Sequence, residues 1–207
     1  SSPRLAEKVE AAGCDVVIAE GFEAGGHNGR DEITTMTLIP QVVDAVSIPV
    51  IGAGGIADGR GIAAALALGA SGVQIGTRFA CTEESSAHLN FKQAIINSAP
   101  EDTVLCMKKL VPVRLIKNSF AKEILALEEK GADREEISLC LGKGRAKNGI
   151  FLGDLEAGEL EVGQISGLIK DMPKAAELVK RLLRTEPELH ISGQVALGDL
   201  PRLRYRD

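Results

Sequence analysis

Three times within its first 77 residues the chain runs apolar for a short stretch and then stops abruptly at a glycine-rich loop. Val16-Val17-Ile18-Ala19 opens into Glu20-Gly21-Phe22-Glu23-Ala24-Gly25-Gly26-His27. Ile48-Pro49-Val50-Ile51 opens into Gly52-Ala53-Gly54-Gly55, and Val73-Gln74-Ile75 into Gly76-Thr77. Segments with helical spacing separate these runs. Leu5, Ala6, Val9 and Ala12 precede Gly13; Leu38, Val42, Val43 and Val46 follow the first loop; Asp58 to Leu68 ends at Gly69. Near-continuous apolar strands alternating with amphipathic helices predict a parallel sheet with helices on its faces. Strands are expected over 14–19, 48–51 and 72–75, and helices over 5–12, 37–46 and 58–68. A short internal repeat, Ala12-Gly13-Cys14-Asp15-Val16-Val17 against Leu68-Gly69-Ala70-Ser71-Gly72-Val73, follows the same helix, glycine, strand order.

The pattern changes after Phe79. Helices are expected over Ser86–Ser98, Leu115–Lys130, Arg134–Lys147 and Pro173–Arg184, with Pro173 suited to a first turn. Residues 82–184 therefore read as a mainly helical appendage or lid on an α/β part spanning 1–81. Residues 185–207 carry no usable period and stay unassigned.

Composition removes several function classes. The 207 residues are 44% hydrophobic and 26% charged with a net charge of −5, so no basic stripe exists to neutralise nucleic-acid phosphates. No long apolar run suits a membrane span, and no basic-then-apolar leader opens the chain. Cys14, Cys81, Cys106 and Cys140 form no C-x-x-C pair, which speaks against a zinc site or a disulfide framework and for a reducing, cytoplasmic setting. With aromatics at 3% and no Trp, a planar ligand would be gripped by aliphatic side chains and backbone.

In a parallel α/β fold, ligands bind at the C-terminal ends of the strands, where all three glycine loops lie. His27 reads either as a general base or hydrogen-bond donor in a cleft, or as a histidine that caps a turn. Gly52–Arg60 offers consecutive backbone N–H groups and a following helix start, which suits a phosphate. Gly76 and Thr77 repeat the arrangement one strand later. Barrels bind phosphate with the loops after their last two strands, so the strands near 15, 48 and 73 would be the sixth, seventh and eighth. Three strands cannot close a barrel, and the first helix shows no cap signal. The expectation is the C-terminal part of a (β/α)8 barrel belonging to a longer protein.

Glu20–Gly29 (EGFEAGGHNG), Pro49–Gly61 (PVIGAGGIADGRG) and Val73–Phe79 (VQIGTRF), in this order and spacing, resemble the nitronate monooxygenase family. That family was formerly called 2-nitropropane dioxygenase and includes FMN-dependent enoyl-acyl-carrier-protein reductases. Glu84–His88, Val113–Asn118 and Gly163–Leu168 extend the resemblance, which covers about residues 5–184. It implies a TIM barrel holding FMN non-covalently under a small helical domain, a small-molecule substrate, and it admits a homodimer. Residue by residue, it implies His27 as the active-site histidine. Glu20, Gly25, Gly26, Gly54, Gly55, Gln74, Ile75, Gly76 and Thr77 would be the cofactor-binding positions. Glu20 stands where many nitronate monooxygenases have Gln and the enoyl reductases have Glu.

Three readings follow: oxidation of alkyl nitronates by O2, NAD(P)H-dependent reduction of an enoyl thioester, and a non-catalytic phosphate- or nucleotide-binding barrel. His88 reads as a structural hydrogen-bonding residue, Arg114 and Lys117 as residues that meet a charged substrate or, the favoured reading, lie on a helix surface, and His190 receives no role.

Overall fold

Helix α1 (Pro3–Ala11) has a start signal after all: Ser2 accepts from the Leu5 N–H and Pro3 occupies the first turn, where its missing N–H costs nothing. The computed structural model describes residues 2–184; residues 185–207, His190 among them, lie outside the described residues. Strand β1 (Val17–Glu20) follows α1, and the two-residue strand β2 (Gly26–His27) lies in the loop after it. Then come α2 (Thr35–Ala45), β3 (Val50–Ala53), α3 (Gly59–Ala67), β4 (Gly72–Gln74) and the single turn α4 (Thr77–Ala80).

β1, β3 and β4 form a parallel sheet in that order, with Val17 opposite Val50, Glu20 opposite Ala53, and Ala53 opposite Gln74. This is the α/β unit expected from the apolar runs. One sheet face packs on the helices: Val17, Ala19 and Val50 meet Leu38, Val42 and Ala6. Ile39 fills the next layer with Ala65 and Ala70. Leu38 and Ile39 are fully buried, each contributing about 1.5–3 kcal/mol by transfer from water. Successive strand residues point to opposite faces, and Ile18 is 46% exposed. The second face therefore has no helical cover among the described residues, and the sheet is not a closed barrel.

Residues 82–184 depart from the expected outline. Helix α5 (Leu89–Asn97) is followed by β5 (Thr103–Cys106) and β6 (Val113–Ile116), which pair antiparallel, and β6 also pairs with β2. The resulting sheet, ordered β2-β6-β5, was not anticipated. Leu115 and Ile116 thus belong to a strand, and helix α6 (Ser119–Glu129) begins only where the Asn118 side chain accepts from the Ala121 N–H at 2.9 Å. The long helix expected over 134–147 is two, α7 (Arg134–Leu141) and α8 (Arg145–Leu152). Gly142 and Gly144 part them at φ 62° and 77°, where side-chain-bearing residues are strained. Phe120, Ile124 and Ile137 pack on Cys106, Val113 and Leu115. A 3-10 turn (Gln164–Leu168) and α9 (Ala175–Leu183) end the described chain.

His88 does what was expected of it. Its Nδ1 caps α5 by accepting from the Asn90 N–H at 3.1 Å. Among the described residues no helix is long and apolar enough to cross a membrane.

Candidate functional site

A cavity of about 290 Å³ opens at the C-terminal ends of β1, β3 and β4. Glu20, Gly54, Gly55, Gln74, Ile75, Gly76 and Thr77 line it from the three strand ends, and Gly25 from the first loop. Of the nine expected cofactor positions, Gly26 alone is not in the wall; His27 is not in it either. The remaining wall comes from far along the chain and includes Ile150, Glu161, Gly163 and Ile165.

The loops converge for identifiable reasons. The Gly21 N–H continues the ladder to the Ala53 carbonyl at 2.9 Å. The Glu23 carboxylate accepts from the N–H (2.9 Å) and hydroxyl (2.8 Å) of Thr35 at the start of α2. Gly25 must be glycine, since a Cβ there would sit 2.4 Å from the Val162 carbonyl carbon and 2.5 Å from the Gly163 nitrogen. That crossing segment is laced to the loops by Gly163 N–H donating to Thr77 Oγ1 and Gln164 N–H donating to the Glu23 carbonyl, both at 2.9 Å. The Thr77 hydroxyl proton stays available for a ligand.

The N–H groups of Gly55, Gly76 and Thr77 meet no acceptor among the described residues. A Cβ on Gly76 would meet no protein atom within 4 Å, so packing does not explain that glycine; it borders the cavity. Arg78 turns away, buried in an ion pair with Asp171 at 2.5 Å. Among the described residues no Lys, Arg or His lines the cavity, whereas Glu20, Glu23 and Glu161 do. An anion there would be held by backbone donors and the Thr77 hydroxyl.

His27 lies outside the wall, two residues beyond Gly25, which lines it. Its backbone pairs with Val113 in β6, and its side chain is solvent-exposed. Gly26 has φ 73°, and a Cβ on it would lie 2.5 Å from Glu161 Oε2, so the Glu161 carboxylate rests against the Gly26–His27 backbone. Burial pushes the Glu161 carboxyl above the usual range, partly offset by His27. Burial also raises Glu20.

Glu159 is 7% exposed, and burial, aided by the charge of Glu161 and opposed by Arg145, raises its carboxyl to about 7. The unfolded chain loses this proton near the ordinary value of 4.5 while the folded chain keeps it to about 7. Stability is therefore lost as pH rises from about 4.5 to 7. Glu159→Gln should stabilise the protein by on the order of 2 kcal/mol at pH 8 and by far less at pH 4.5. Urea midpoints at the two pH values check this; an equal gain at both would contradict it.

Several site residues escaped the sequence reading. Arg114, expected on a helix surface, lies in β6 at 2% exposure. Its guanidinium donates to the Phe22 carbonyl at 3.0 and 3.1 Å and stacks over the Phe22 ring at 4.5 Å, clamping the first glycine loop. Lys117 instead donates to the Glu101 carbonyl at 2.6 Å. Thr35 and Glu161 also went unnoticed, and Glu23 and Gly163 were seen only as members of shared motifs. For Glu161 the sequence cue was the shared Gly163–Leu168 motif two residues on.

The family described as nitronate monooxygenase matches residues 1–185. A probable nitronate monooxygenase of Staphylococcus aureus (strain JH9) is 40% identical over 178 residues, covering 79% of this chain and 48% of that protein. One from Staphylococcus haemolyticus (strain JCSC1435) is 53% identical over 105 residues, 46% of this chain and 29% of that protein. Among solved structures, FabK from Thermotoga maritima superposes with a TM-score of 0.83 at 43% identity, covering 88% of this chain and 58% of the other. A nitroalkane oxidase from Streptomyces ansochromogenes gives 0.71 at 35% identity, covering 88% and 54%. The chain spans about half the length, or less, of the curated relatives it matches. It belongs to the nitronate monooxygenase family.

Proposed function

We propose that this chain supplies the C-terminal part of an FMN-binding TIM barrel that oxidises alkyl nitronates or nitroalkanes to carbonyl compounds and nitrite. The observation that carries this reading is the convergence of three glycine-rich strand ends on one cavity with unbonded backbone N–H groups. In this reading the strands that complete the barrel would pair with the free sheet edges and cover the face on which Ile18 is exposed.

The cavity fits the flavin. Gly55, Gly76 and Thr77 present N–H groups to a phosphate, and open space at Gly76 lets it approach the backbone. Ile56, Ile75, Ile150 and Ile165 offer aliphatic walls to a ring system. Bound FMN would take electrons from the substrate and pass them to oxygen. The chain's own residues position the substrate and handle its proton. His27, two residues beyond Gly25 of the wall, accepts the α-proton of a nitroalkane or donates a hydrogen bond to a nitronate oxygen. Gly25 and the Val162–Gly163 crossing hold the His27 loop against the cavity wall.

A second reading, reduction of an enoyl thioester by NAD(P)H, is favoured by one observation. Glu20, the residue shared with the reductase branch, lines the cavity at the end of β1. The test mixes full-length, FMN-loaded protein either with propyl-2-nitronate or with NADH and crotonyl thioester. Oxygen uptake with nitrite release supports the first reading. Rapid flavin bleaching by NADH with thioester reduction replaces it with the second. A full-length protein that takes up no FMN overturns both.

A further inference from the structure

Among the described residues only two other than glycine carry positive φ, Glu32 at 51° and Met107 at 60°. Side chains are strained there, and such backbone persists where its surroundings hold it in place. The two residues are far apart in sequence, yet they lie in segments that meet: Glu32 in the turn after His27, Met107 at the start of the β5–β6 turn. Polar contacts stitch the two turns together. The Arg30 guanidinium donates to the carbonyls of Lys108 at 3.2 Å and Leu110 at 2.5 Å. Lys108 and Glu32 form an ion pair. The Asn28 N–H donates to the Pro112 carbonyl at 2.8 Å. Its buried side-chain amide closes the loop inward, donating to the carbonyls of Ala24 at 2.9 Å and Gly26 at 3.0 Å.

The β5–β6 turn is itself fixed. Met107 is buried in the core that holds Phe120 and Ile124. The Lys108 N–H donates to the Glu128 carboxylate at 3.0 Å, and Lys109 Nζ donates to the carbonyls of Gly131 and Ala132. The His27 loop is thus held before its glycines by Arg114 on Phe22 and after His27 by Arg30, both times against the appendage. A surface ion pair such as Lys108–Glu32 contributes little by itself. Arg30 differs, because its planar fork meets two carbonyls of one anchored turn.

We propose that Arg30 is a positioning residue: it straps the segment after His27 to the β5–β6 turn and so holds the imidazole in one place for the substrate. This rests on the reading above in which His27 handles the substrate proton. A base must stand within hydrogen-bond reach of the C–H it attacks, and a loose loop spends little of its time there. Arg30 is not in the cavity wall, so its removal leaves the flavin site intact.

The experiment uses full-length, FMN-loaded protein with 2-nitropropane. Arg30→Ala should lower kcat by about 10-fold, with KM and the FMN dissociation constant within about threefold of the parent. Backbone hydrogen exchange over residues 26–33, read by mass spectrometry, should rise about 10-fold or more while β5 and β6 exchange at parental rates. Arg30→Lys, which can reach one carbonyl, should recover part of both effects. In a His27→Ala background Arg30→Ala should change kcat by less than about twofold, because the group it positions is gone. A further 10-fold loss in that background means that Arg30 acts some other way and overturns the proposal. So does parental kcat in Arg30→Ala, or parental exchange over 26–33. Should the parent not turn over 2-nitropropane, the oxidising reading and the positioning role fail together, while the exchange measurement still decides the strap.

Discussion

His27→Ala should lower turnover of the full-length, FMN-loaded enzyme by about 10²-fold or more while the flavin stays bound, the scale of a lost acid–base group. The two halves of this expectation rest on different observations. Flavin retention follows because His27 is not part of the cavity wall; Gly54, Gly55, Gly76 and Thr77 are. Retention of fold follows because His27 joins β2 through its backbone pairing with Val113, which alanine preserves, and its exposed ring leaves no hole when removed. What alanine removes is the imidazole two residues beyond Gly25 of the cavity wall; His88, the other histidine among the described residues, is engaged in capping α5. Turnover that survives the substitution would make His27 a bystander and shift proton handling to Glu161 or Glu20. Lost flavin absorbance in the purified variant would place His27 in the binding site instead.

How much of this was legible beforehand depends on the range of the interactions. The three parallel strands were legible because each signal is local: an apolar run, a glycine stop, an amphipathic helix between. Eight of the nine expected cofactor positions meet in one cavity because seven sit at the ends of those same strands and Gly25 lies in the loop that follows the first. The antiparallel sheet was not legible. Val113-Arg114-Leu115-Ile116 is only four residues long, and its partner across one edge is Gly26-His27, some 90 residues away. A strand that short has too few residues for a period of two to stand out, and its pairing is a tertiary fact. Glu161 was hidden for the same reason, reaching the His27 loop across about 135 residues of intervening chain. The split between α7 and α8 is different. Gly142 and Gly144 were visible, and their left-handed conformations end one helix and start the next.

The remaining large effect contrasts two glycines of one cavity wall. In Gly25→Ala the new methyl would lie 2.4–2.5 Å from the backbone of Val162 and Gly163, neither of which is a flexible side-chain end. The segment must move, costing about 1–3 kcal/mol or more of stability. The displacement also carries Gly163 away from Thr77 Oγ1, so flavin binding falls with the fold. In Gly76→Ala the methyl meets nothing within 4 Å among the described residues beyond its chain neighbours, and φ is −95°, outside the left-handed region, so stability should change by less than about 1 kcal/mol. Yet that methyl enters the space assigned to the phosphate, so the FMN dissociation constant should rise about 10-fold or more, equivalent to a loss of about 1.4 kcal/mol. Urea unfolding and flavin titration of full-length protein separate the two. A Gly76→Ala variant that binds FMN like the parent would remove the phosphate from this corner of the cavity. A Gly25→Ala variant of parental stability would mean that the Val162–Gly163 crossing does not hold the His27 loop.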